Sequence, residues 1–143
     1  MVKEQAMASR IDKMWHCIKQ IEEILQMPLA TFLTKKYVPL FTERCVQIII
    51  EAMTDLGNYI IRKEGLTPAE SYADIFRILC RNKILDITLE DELVSLAKLR
   101  NVIVHLYVEV DSELLYQLLT EGMDIIKETA KQLVNKIEEI DNR

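Results

Sequence analysis

Three glycines and three prolines in 143 residues leave the backbone few places to turn, and that scarcity narrows the possible folds first. A sheet-rich domain needs a turn signal roughly every ten residues. Long helices need far fewer, so an all-α chain is expected. The apolar positions agree. Ile11, Met14, Trp15, Ile18, Ile21 and Leu25 recur at steps of three and four, the period of one helix face.

That period predicts a first helix over 3–26, interrupted by Pro28, with a short helical turn over 29–36. A second long helix starts near Pro39, where proline suits a first turn. Its stripe is Phe41, Cys45, Ile48, Ile49, Ala52, Met53, Leu56 and Ile60, and Gly65 ends it as a C-terminal cap. Thr67-Pro68-Ala69-Glu70 reads as a capping box opening a third helix over 68–82. Thr88 is the candidate N-cap of a fourth, followed by Glu90, Asp91 and Glu92 near the positive end of its dipole. Leu89, Leu93, Leu96, Leu99, Ile103 and Leu106 form its apolar side. Asp111 caps a last helix over 112–141, striped by Leu115, Leu118, Ile126, Leu133, Ile137 and Ile140. No linker, repeat or low-complexity tract divides the chain. The expectation is one domain over 1–143, an antiparallel bundle of about five helices.

Half the residues are hydrophobic and 29% are charged, as in a soluble globular protein. A net charge of −5 argues against coating nucleic acid non-specifically, but leaves room for a local basic site. Cys17, Cys45 and Cys80 are widely spaced and form no CxxC pair, which fits reduced thiols and a cytoplasmic location. No apolar run reaches membrane-spanning length, and Lys3, Glu4, Gln5 and Arg10 are unlike a signal peptide. Two histidines among scattered carboxylates make no metal site, and no phosphate loop or nucleophile elbow is present, so no metal or cofactor is expected.

The chemistry concentrates in Leu99-Arg100-Asn101-Val102-Ile103-Val104-His105-Leu106-Tyr107. Burying such polar groups in an apolar run is costly unless they are partnered. Arginine and histidine are also sufficient for metal-free phosphodiester cleavage. Histidine moves a proton near neutral pH, and arginine holds a phosphate and its developing charge. On a regular helix Arg100 and His105 lie about 140° apart, so another helix or another copy of the chain must complete a shared site. Asn101 shares the face of His105. Asp55 and Asn58, with Glu51 one turn earlier, are candidates to tune His105 or to hold Arg100; the plainer alternative is hydrogen bonding between helices. Tyr59 and Tyr72 read as packing residues. His16 has no ligand partner at helical spacing.

The string Arg100-Asn101-x-x-x-His105-x-Tyr107, followed by Asp111, resembles the signature of the HEPN superfamily, in particular its HepT-like branch. The second helix, through Asp55-Leu56-Gly57-Asn58-Tyr59, is similar to that family's Asp-x-x-Asn-His, with Tyr59 where histidine commonly stands. Ser71-Tyr72-Ala73-Asp74-Ile75-Phe76 is similar to its third helix. The resemblance implies a two-fold dimer and the toxin of a type II/VII-like toxin–antitoxin module. It implies metal-independent cleavage of tRNA or mRNA, with Arg100 and His105 catalytic and Asn101, Asp55 and Asn58 supporting. It also implies a minimal nucleotidyltransferase antitoxin that silences the nuclease by transferring AMP to Tyr107. Two other readings compete. One is a non-catalytic nucleotide- or substrate-binding subunit of that nucleotidyltransferase. The other is a structural helical dimer in which Arg100 pairs with Asp55 or Glu51.

Overall fold

A computed structural model describes residues 2, 4–104 and 109–143; His105 and Tyr107, and Leu106 of the apolar stripe, lie outside the described residues. Six helices follow in order: α1 Gln5–Ile24, α2 Leu29–Thr34, α3 Val38–Lys63, α4 Tyr72–Arg81, α5 Glu90–Val104 and α6 Ser112–Asp141. No strand occurs among the described residues. The expected all-α bundle is what forms, with one more helix than expected. The short turn after Pro28 is a helix because Phe32 is fully buried there, its ring centroid 5.2 Å from that of Tyr116.

The long helix α3 is the axis of the bundle. It packs against α1, α2, α4, α5 and α6, and buries Cys45, Val46, Ile49, Ile50, Met53, Leu56, Ile60 and Ile61. Arg10, near the start of α1, reaches Asp55 in the C-terminal half of α3, so these two helices run antiparallel. Gly57 is where α4 comes nearest. A Cβ there would lie 2.6 Å from Ile75 Cγ2 and 3.0 Å from Leu79 Cδ1. The end of α3 follows the expected glycine rule. Gly65 has φ 67°, and Gly65 N and Leu66 N donate to the carbonyls of Arg62 and Ile61.

Two helix starts differ from expectation. α4 begins at Tyr72, not 68. Ser71 is the N-cap, its hydroxyl accepting from Asp74 N at 3.0 Å, while Asp74 Oδ2 accepts from Glu70 N at 2.9 Å. Ser71-x-x-Asp74 therefore outcompetes Thr67-x-x-Glu70. The physical reason is burial: Ile75, Phe76, Leu79 and Cys80 are buried, whereas 68–71 brings only the half-buried Ala69. Ahead of α5, Asp86 is the cap instead of Thr88. Its carboxylate accepts from both the amide and the hydroxyl of Thr88, and a 3-10 turn, Ile87–Leu89, leads into the helix. Asp111 caps α6 as expected, accepting from Leu114 N at 3.0 Å.

Two stripe residues are also not core. Phe41 is 47% exposed and Leu118 is 44% exposed. Phe41 is on the first turn of α3, ahead of the buried stretch that starts at Thr42 and Cys45. Leu118 lines an open groove between α5 and α6, together with Leu96, Leu99 and Ile125. The groove has a volume of about 490 Å³.

Candidate active site

Helix α5 is held by few of its own residues. Leu93 and Ala97 are its buried positions, while Leu96, Leu99 and Ile103 are half-buried and Val102 is exposed. Its C-terminal half, which carries Arg100 and Asn101, is therefore weakly sunk in the core, and Arg100 faces α3 and α4.

On α3 the residues that face away from the core fall at steps of three and four: Arg44, Gln47, Glu51, Asp55 and Asn58. Arg44 is exposed and the rest are half-buried. This stripe meets α5 at Arg100, where Arg100 Nη2 donates to Glu51 Oε1 at 2.7 Å. The Arg100 side chain is 17% exposed and that of Glu51 34%. Below the guanidinium lies Tyr72, with Arg100 Cζ 4.4 Å from the ring centroid, inside cation–π range. Gln47 Nε2 donates to the same Glu51 oxygen at 3.2 Å. Arg100 Nη1 points towards Asn101 Oδ1 at 3.5 Å, a long contact. Arg100 Nε is buried and has no hydrogen-bond partner among the described residues.

Burial acts to raise the Glu51 carboxyl, but hydrogen bonds from Arg100 and Gln47, with the charges of Arg100 and Arg44, outweigh it. Glu51 stands below the usual carboxylate range and is ionised at neutral pH.

Of the two carboxylates offered to Arg100, the fold gives it Glu51. Asp55, one turn on, binds Arg10 Nε at 2.7 Å, with both side chains nearly half exposed. Asn58 lies a further turn along the same stripe. Arg100, Asn101 and Glu51 are thus brought together, and Asp55 is engaged elsewhere. Tyr72, read from the sequence as packing, is the platform of the site. Its role depends on how α4 docks beside α5, which no local spacing encodes. Glu51 is one of the candidates that the sequence offered Arg100; for Gln47 a signal existed, a polar residue one turn before Glu51 on a helix otherwise rich in isoleucine.

The other marked residues have structural work. Tyr59 is buried and donates to Asp141 Oδ1 at 2.9 Å, tying the end of α6 to α3. The three cysteines are free and buried. Burial pushes Cys45 up to about 12 and Cys80 to about 11, so neither is a nucleophile at neutral pH. Among the described residues, no group of three or more His, Cys, Asp or Glu side chains is placed to hold a metal ion. No described helix is long and apolar enough to cross a membrane.

Comparison with known proteins bears on the fold and the family. A protein 27% identical over 119 residues, covering 81% of this chain and 86% of its own length, is the mRNA nuclease HepT of Shewanella oneidensis. Among solved structures, the tri-AMPylated HEPN toxin of Shewanella oneidensis, in complex with an MNT antitoxin, superposes with a TM-score of 0.82. It is 22% identical, and the match covers 93% of this chain and 99% of that one. The cytosolic protein YutE of Bacillus subtilis gives a TM-score of 0.75 at 24% identity, over 92% of this chain and 90% of that one. At such identities these structures bear on the fold alone. The family model described as "Ribonuclease HepT-like" matches residues 14–133, which spans α3, α4, α5 and the Arg100 site, and the chain belongs to the HepT-like ribonuclease family.

Proposed function

We propose that this chain is the toxin of a toxin–antitoxin pair and a metal-independent endoribonuclease of the cytoplasm that cuts tRNA or mRNA through the RNA's own 2′-hydroxyl. The observation that carries this reading is the oriented Arg100 in a chain of the HepT-like family, next to Asn101 and five residues before His105. His105 takes the 2′-hydroxyl proton, and the 2′-oxygen attacks phosphorus. Arg100 binds the scissile phosphate and stabilises the charge of the pentacoordinate transition state. The bond from phosphorus to the 5′-oxygen breaks. His105 of a second copy protonates the leaving oxygen, and the products are a 2′,3′-cyclic phosphate and a 5′-hydroxyl. Asn101 supports the phosphate or the imidazole, and Asp55 and Asn58 extend the polar stripe along which RNA lies.

A two-fold dimer supplies the second histidine. Its support is the apolar surface left open beside the motif helix: the groove lined by Leu96, Leu99 and Leu118, with Val102 and Leu114 exposed nearby in sequence. The regulator is a minimal nucleotidyltransferase antitoxin that transfers AMP to Tyr107. A bulky anionic group at that position blocks RNA by size and repels its phosphates.

The Arg100–Glu51 pair also favours a second reading, in which Arg100 serves the bundle and the chain is a structural, non-catalytic helical dimer. Incubating purified protein with tRNA and total RNA in EDTA, beside His105→Ala, separates the two. The nuclease predicts cutting by wild type alone, cyclic-phosphate ends, and no cutting of a DNA version of the substrate. Folded protein that cuts nothing overturns it.

A further inference from the structure

We infer that Glu51 is a positioning residue for Arg100, fixing the guanidinium so that its Nη1 edge is the one presented to the scissile phosphate. The inference rests on the ribonuclease reading. An exposed arginine carries about 2 kcal/mol of rotamer entropy and does not hold one orientation unaided. Here two contacts and the enclosure of Nε remove that freedom. The Tyr72 ring, 4.4 Å from Cζ, sets the plane of the guanidinium. Glu51 Oε1, 2.7 Å from Nη2, sets its rotation in that plane. Nε is enclosed and closed to substrate. What remains is Nη1, beside Asn101 Oδ1, with the second N–H of Nη2 next to it.

Glu51 is itself braced, by the Gln47 amide at 3.2 Å on the same oxygen and by the charge of Arg44 one turn further back. The three residues share one side of α3, so the brace is as stiff as the central helix of the bundle. A carboxylate against Arg100 weakens the field that an incoming phosphate feels. Its presence therefore works against simple affinity and in favour of orientation, and orientation is expressed in the transition state.

The test is steady-state RNA cleavage by wild type, Glu51→Ala, Glu51→Gln, Arg100→Ala and the Glu51→Ala/Arg100→Ala double variant. Misplacing a reacting group by about an ångström costs roughly a hundredfold. Glu51→Ala is expected to lose about that much in kcat while KM stays level or falls. Glu51→Gln, whose amide oxygen still accepts from Nη2, recovers most of the loss. The double variant is expected to be no slower than Arg100→Ala, because Glu51 acts through Arg100. Undiminished kcat in Glu51→Ala overturns the inference, and so does a Glu51 loss that adds in full to that of Arg100→Ala. Should Glu51→Ala melt below the assay temperature, Glu51→Asp decides: one methylene shorter, it must be slower than Glu51→Gln, and equal rates overturn the inference. Full activity in Arg100→Ala is a different failure, since it removes Arg100 from the proposed mechanism altogether.

Discussion

At the scale of single residues, the site turns on which carboxylate an arginine finds. The sequence offered Arg100 two, Asp55 and Glu51, one turn apart on the same helix. Arg10 of α1 occupies Asp55, and Glu51 is left facing α5. That choice depends on two helix packings at once, which is why spacing alone left it open. It has a consequence in acid. Glu51 has a folded-state pKa below the ordinary 4.5, so its contribution to stability is fully present above the unfolded-state value and is lost as pH falls through the folded one. The difference in urea midpoint between wild type and Glu51→Gln should stay constant from roughly pH 5 to 8, where histidine titrates, and close only below the ordinary carboxylate value. A difference that changes near neutrality would mean that another group governs the pair.

At the scale of elements, helix ends were legible where one signal stood alone. Asp111 before α6 and Gly65 after α3 were read correctly because nothing nearby competed. Around 67–74 two capping boxes overlap, and at 86–88 an aspartate and a threonine compete. In the first case downstream burial decided; in the second the carboxylate captured both groups of Thr88. The end of α4 repeats the closure of α3 with a less suitable residue. Lys83 has φ 60°, and Lys83 N and Ile84 N donate to the carbonyls of Cys80 and Leu79. Lys83→Gly should raise stability by about 0.5–1 kcal/mol, read from the urea midpoint. Gly57→Ala should do the opposite. Alanine gains about 1 kcal/mol of helix propensity, but its methyl meets the stiff, β-branched Ile75 at 2.6 Å, and overpacking of this kind costs roughly 1–3 kcal/mol. A net loss of stability is expected in thermal unfolding, and Gly57→Ala should cost less in an Ile75→Ala background, which lacks the clashing Cγ2.

At the scale of the whole molecule, the all-α architecture was already implicit in how few breaks the chain contains. Helix α2 was legible only as a short helical turn after Pro28, because six residues fix it chiefly through the single buried ring of Phe32. What the chain leaves uncovered follows from α5. Its stripe of leucines looked like a core face, yet Leu96 and Leu99 line an open groove. The rim of that groove carries Asp91, Glu92 and Glu121. Two copies pairing through it bring like charges together, and salt screens such repulsion over a Debye length of about 8 Å at physiological strength. The dimer should therefore tighten as salt rises from low ionic strength, measured by sedimentation. Leu118→Arg should shift the protein towards monomer. An assembly that is unchanged by Leu118→Arg pairs through another face.

The shallow seating of α5 bears on how an inert allele of this gene would behave. Arg100 joins the C-terminal half of that helix to α3 through the ion pair with Glu51, and to α4 through the face of Tyr72. Replacing it by alanine removes the proposed phosphate ligand and also unfastens the segment that leads to His105. Such an allele is expected to exchange its α5 amide hydrogens faster and to be cleared more readily by cellular proteases. Its harmlessness in a cell would then mix lost chemistry with lost protein, whereas His105→Ala leaves the Arg100 fastening in place.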